Sequence, residues 1–97
     1  MDNIIVKKSN IHNIGIFTTK NIKNNIVIGL TIYLKYYIIP IKSNIGKYIN
    51  HSNNNNCIIV NLNNKYYLKS IKNINKNHEL TINYNNTPWF ILGTWSI

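Results

Sequence analysis

Few side chains in this 97-residue sequence can do chemistry: His12, His51, His78, Cys57, Ser52, the tyrosines, and two acids, Asp2 and Glu79. Metal ligation is the first possibility to weigh. His12, His51, Cys57 and His78 form no pair at the Cys-x2–4-Cys or His-x3–5-His spacings that zinc sites use, so no metal is expected. Ser52 follows His51 directly, and adjacent residues rarely aim their side chains at one another. With no orienting acid nearby, a hydrolytic Ser–His pair is not expected either. The background is narrow, since 21 Asn, 21 Ile, 11 Lys and 7 Tyr fill 60 positions. Against it the residues that stand out are Gly15, Gly29, Gly46, Pro40, Pro88, Trp89, Trp95, His51 and Glu79.

Two segments gather several of these. The first runs Gly46-Lys47-Tyr48-Ile49-Asn50-His51-Ser52 into the four-Asn run Asn53–Asn56, which by itself reads equally well as low-complexity filler. The second runs Ile71 to Tyr84 and contains Asn77-His78-Glu79-Leu80-Thr81-Ile82-Asn83-Tyr84. Together they resemble the two signature motifs of the SET-domain lysine methyltransferases, an Asn-His-Ser tripeptide before a Pro-Asn pair and a Gly-Glu-Glu-Leu-Thr-like run ending in Tyr. Asn50-His51-Ser52 is intact, Asn55 stands for the Pro, Asn56 for the second Asn, and Asn77-His78-Glu79 for Gly-Glu-Glu. Earlier, Val6 to Ser9 and Asn13-Ile14-Gly15-Ile16-Phe17 look like the family's opening strand and Gly-x-Gly element, with Asn13 in place of the first Gly. Lys20 to Ile26 sits where the family has a polar turn ending in Gly-Glu. The resemblance covers about Ile4 to Phe90 and is nearest to the minimal SET proteins of large DNA viruses, which carry an aromatic residue past the terminal Tyr, as Trp89 does here.

That resemblance implies a single mostly β domain over 1–97, built of several short sheets with a pseudoknot-like threading of its C-terminal part. It implies transfer of a methyl group from S-adenosylmethionine to a lysine, on a histone tail or another basic protein. Tyr84 would place its hydroxyl beside the methyl group and orient the amine. Backbone around Ile14, Gly15 and Ile16 would approach the methionine part of the cofactor, where a side chain on Gly15 would obstruct it. Asn50 and His51 would meet the cofactor chiefly through backbone, with the Asn50 side chain toward its amine, and Trp89 would offer a face to the adenine. Glu79 is expected to act structurally, because the amine can lose its proton to water. The family's helical insert is reduced here to Leu34–Ile45, through which Pro40 would interrupt any helix; Tyr36 and Tyr37 are the candidates for an aromatic wall of the lysine channel.

The elements that must position these residues read as strands. There is no Ala, Arg or Gln, so strong helix formers are scarce and strand formers abundant. Apolar runs between Asn-rich turns predict strands over Ile4–Val6, Gly15–Thr18, Ile26–Tyr33, Cys57–Leu62, Lys65–Ser70 and Leu80–Tyr84. Asn63-Asn64 predicts a tight hairpin turn, since Asn tolerates left-handed backbone. Thr19–Ile26 and Ser70–Asn77 echo one another, an echo attributed to the narrow alphabet rather than to a repeat.

The net charge of +9 suits a polyanion partner, but Ile, Asn, Lys and Tyr are all written by AT-rich codons, and the lysines are scattered with no Arg for bidentate phosphate contacts. Nucleic acid is therefore not the expected partner. A lone Cys57 points to a reducing compartment, and no apolar run fits a signal peptide or a membrane span. These features imply an intracellular protein, in the cytoplasm or nucleus of a host cell if viral. At this length dimerisation would help stability. Two other readings stay open: a non-catalytic SET-like module that binds a protein, and a small basic β-domain that binds nucleic acid.

Overall fold

A computed structural model of the chain describes residues 3–36 and 39–87; Tyr37 and Trp89 lie outside them. The architecture is mostly β, with three small sheets among the described residues. Strands β1 (Ile4–Lys8) and β2 (Ile14–Thr18) pair antiparallel from Ile4↔Thr18 to Lys8↔Ile14. Four strands form the second sheet in the order β4-β3-β7-β6, where β3 is Val27–Lys35, β4 Ile39–Lys42, β6 Cys57–Leu62 and β7 Lys65–Ser70. The third sheet is the short parallel pair of β5 (Asn50–His51) and β8 (Thr81–Ile82). Parallel pairing across 30 residues of chain requires a long connection, here the whole β6–β7 hairpin. Within the described residues this pairing is the part of the expected C-terminal threading that can be seen.

The strand expectations hold, with shifted ends. Cys57–Leu62 and Lys65–Ser70 coincide with β6 and β7, and Asn63 and Asn64 turn between them with φ of 54° and 65°, the left-handed pair a tight hairpin needs. The strand expected over Leu80–Tyr84 is shorter. After Ile82, Asn83 accepts the Asn85 N–H at 3.0 Å and starts a 3-10 turn over Tyr84–Asn86.

As expected, no helix runs through Pro40; it lies in β4, an edge strand opposite Leu34, where a missing N–H costs no ladder bond on the open side. Helix α1 (Asn44–Tyr48) follows, capped by Ser43, whose Oγ accepts from Gly46 N–H and donates to the Leu30 carbonyl. A Cβ on Gly46 would stand 2.3 Å from Thr31 O, so the glycine is what lets α1 lie against β3. Five residues that include Asn44, Gly46 and the β-branched Ile45 have little intrinsic helicity; the packing makes this helix.

The core is Ile16, Ile32, Ile45, Ile49, Cys57, Tyr66, Leu68, Ile74, Leu80 and Ile82. It joins α1, β2 and β8 to the inner face of the four-stranded sheet, from which Tyr66, Leu68 and Ser70 alternate inward. The echoed segments also meet. Ile22 and Ile74 exchange backbone bonds at 2.8 and 2.7 Å, Asn21 Oδ1 accepts from Lys76 N–H, and Asn73 Oδ1 accepts from Asn24 N–H, both at 2.8 Å. The similarity is thus a local two-fold arrangement, in which each Asn side chain caps the other segment's turn.

Candidate active site

Glu79 organises the region where the two motifs meet. Its Oε1 accepts from Ser9 Oγ at 2.7 Å and its Oε2 from the Asn50 amide at 2.8 Å. Asn50 Nδ2 also lies 3.0 Å from Ile14 O, 3.2 Å from Ser9 Oγ and 3.3 Å from His12 O. One side chain therefore gathers β5, the β1–β2 turn and the strand after Asn77. With Nδ2 so committed, Asn50 Oδ1 has no donor among the described residues. Asn56 adds a second tie: its amide donates to Glu79 O at 2.8 Å and its Oδ1 accepts from Thr81 N–H at 2.9 Å, as a neighbouring strand's backbone would.

The carboxylate also explains Gly15. A Cβ there would fall 2.2 Å from Glu79 Oε2 and 3.0 Å from Asn50 Nδ2. The glycine makes room for the half-buried hydrogen bond between Glu79 and Asn50. Asn13 and Asn77, at the family's glycine positions, have φ of 32° and 72°. Asn25, at the end of the polar turn, has φ of 68°. Asn is the side chain that tolerates this region best after Gly, because its amide can bond locally.

Tyr84 is held from both ends. Its backbone N–H donates to His51 Nδ1 at 3.0 Å, and its hydroxyl donates to Ile49 O at 2.7 Å. Since His51 Nδ1 accepts, the ring proton sits on Nε2, which donates to Asn53 Oδ1 at 3.2 Å. The His51 and Tyr84 rings lie 5.2 Å apart at 58°, an edge-to-face type of contact. Burial, and secondly the negative charge of Glu79, push the Tyr84 phenol above its ordinary value, so it stays protonated through the neutral range.

A cleft of about 510 Å³ opens in front of these residues, lined by His12, Asn13, Ile14, Lys42, Lys47, Tyr48, Ile49, Asn50 and Tyr84. It brings together Ile14, Asn50 and Tyr84 from the sequence-derived set. Gly15 and His51 lie immediately behind it. Ile16 points into the core, 1% exposed, and its carbonyl accepts from Leu80 N–H at 2.8 Å. Tyr36 lies elsewhere: it is 75% exposed at the tip of the β3–β4 hairpin, beside a separate hollow shared with Asn63 and Asn64. Among the described residues, Tyr48 and Tyr84 supply the cleft's tyrosine rings. Sequence reasoning missed Ser9, His12, Lys42, Lys47 and Tyr48 as site residues. Only Lys47 and Tyr48 carried a signal, their place directly before Asn50-His51.

Residues 32–85 match the family model of the SET domain. Among solved structures the chain is similar to a Plasmodium falciparum protein described as a histone methyltransferase, at a TM-score of 0.69 and 22% identity over 90% of this chain and 96% of that one. It is also similar to the methyltransferase domain of human PR domain-containing protein 2, at a TM-score of 0.68 and 18% identity over 92% of this chain and 82% of that one. At these identities the likeness is one of fold. No curated protein matches.

Proposed function

Because this chain belongs to the SET-domain family, we propose that it transfers a methyl group from S-adenosylmethionine to the side-chain amine of a protein lysine, with Tyr84 at the point of transfer. The observation that carries this reading is the convergence of Ile14, Asn50 and Tyr84, from three distant parts of the chain, on one cleft.

The residues present suit the cofactor. About 510 Å³ is within the roughly 300–1,000 Å³ of small-molecule sites. Asn50 Oδ1, to which no described residue donates, is an acceptor for an ammonium group, and its orientation is fixed because Nδ2 is fully engaged. The aromatic faces of Tyr48 and Tyr84 are favourable neighbours for a sulfonium cation. When bound, S-adenosylmethionine would supply an electrophilic methyl carbon that a neutral amine can attack in line, the C–S bond breaking as the N–C bond forms and the thioether S-adenosylhomocysteine leaving.

The chain's own part is positioning. The Tyr84 hydroxyl donates its hydrogen bond to Ile49 O, so toward the incoming amine its oxygen acts as an acceptor of an N–H and turns the nitrogen lone pair toward the methyl carbon. A phenol kept neutral by burial and by Glu79 suits an orienting acceptor and does not suit a base. Glu79 is engaged by Ser9 and Asn50, so the amine's proton leaves to water, as in the expectation from sequence.

Calorimetric titration with S-adenosylmethionine tests the reading directly. Saturable binding in the micromolar range is expected; no heat at millimolar cofactor would sink it.

A further inference from the structure

Resting on the methyltransferase reading, we infer that the acceptor lysine lies in an acidic or neutral segment of its protein, and not in the basic tail that family resemblance implies. The charge distribution carries this. Of 13 ionisable carboxylates and ammonium side chains, 11 are lysines and two are acids. All 11 lysines are exposed or half-buried. Glu79, the acid at the site, has both carboxylate oxygens occupied by Ser9 and Asn50, so it is turned inward and offers a basic peptide nothing. The other, Asp2, is in the first residues of the chain.

The cleft repeats the same sign locally. Its charged lining residues are Lys42 and Lys47, and no acid is among the described residues that line it. Lys47 is exposed in the last turn of α1, one residue before Tyr48 and two before Ile49, whose carbonyl holds the Tyr84 hydroxyl. Any segment that brings a lysine to Tyr84 passes this rim. Like charges at such a rim slow encounter and weaken docking, while opposite charges raise association rates by about 10- to 10³-fold. The acceptor amine itself must arrive neutral, so it adds no repulsion at the moment of transfer; its flanking residues decide the electrostatics.

The test uses the full chain with S-adenosylmethionine and three synthetic peptides of equal length, each with one central lysine flanked by Asp/Glu, by Ser/Asn or by Arg. Methyl incorporation is expected to show kcat/KM at least about tenfold higher for the acid-flanked than for the Arg-flanked peptide at low salt, with the ratio shrinking toward one at high salt. Lys47→Glu should reduce the ratio several-fold, and Lys47→Gln should fall between it and the parent, circular dichroism confirming that both fold. Equal or better use of the Arg-flanked peptide would overturn the inference while leaving the methyltransferase reading intact. Transfer to none of the three, when calorimetry shows the cofactor bound, would also overturn the inference. Absence of cofactor binding overturns the reading on which both rest.

Discussion

The amide of Asn50 donates to Oε2 of Glu79 at 2.8 Å, and this single bond joins the two sequence motifs 29 residues apart. It sits behind the cleft, with its donor also reaching Ile14 O and its acceptor also held by Ser9. The parallel pairing Asn50↔Thr81 and His51↔Ile82 runs directly beside it. The network therefore fixes how the β1–β2 turn, β5 and β8 meet, and through His51 it fixes Tyr84.

Gly15→Ala puts a methyl group where Glu79 Oε2 lies, 2.2 Å from the new atom. Overpacking of this kind costs about 1–3 kcal/mol. Chemical denaturation should show that loss, and cofactor affinity should fall with it because Asn50 is displaced. An unchanged midpoint would mean that the carboxylate has somewhere else to go.

Tyr84→Phe removes the bond to Ile49 O and leaves the ring against His51. Stability should drop by only about 0.5–1.5 kcal/mol. Methyl incorporation should drop by about 10²-fold or more, the scale of a lost orienting contact, with cofactor affinity nearly unchanged. Equal losses of turnover and cofactor affinity would contradict the orienting role.

Asn77 carries φ of 72° at a position the family gives to Gly. Asn77→Gly should therefore alter stability by less than about 0.5 kcal/mol at this exposed turn, whereas Asn77→Val should cost about 1–2 kcal/mol from the left-handed backbone alone. Thermal melts of the two variants check this, and similar melts for both would refute it.

Cys57 is fully buried, and burial pushes its thiol from 9.0 up to about 12. The folded state thus holds a proton that the unfolded state releases, so stability present below about pH 9 is lost as pH rises toward 12. The whole effect is on the order of 4 kcal/mol. Urea midpoints measured against pH should fall across this window and do so less steeply in Cys57→Val. Rapid reaction of the native protein with a thiol reagent at neutral pH would show that the residue is not sealed in the core.

The sequence alone determined the strands β6 and β7 and the Asn63-Asn64 turn between them, because a two-residue period and a left-handed turn are local properties. It also determined the family, since Asn50-His51-Ser52 and Leu80, Thr81 and Tyr84 are contiguous signals. Tertiary structure decided what spacing cannot encode. Gly15 is a glycine because Glu79, 64 residues later, needs its space. The helix α1 exists because Gly46 lets it rest on Thr31. Pro40 ends in an edge strand, and Tyr36 at a hairpin tip outside the cleft, because β4 folds back on β3. The echo between Thr19–Ile26 and Ser70–Asn77, an accident of composition when seen as text, is two turns capping each other. Such outcomes depend on which surfaces meet, and contact between distant segments is set by packing of the whole core, which no local window of residues contains.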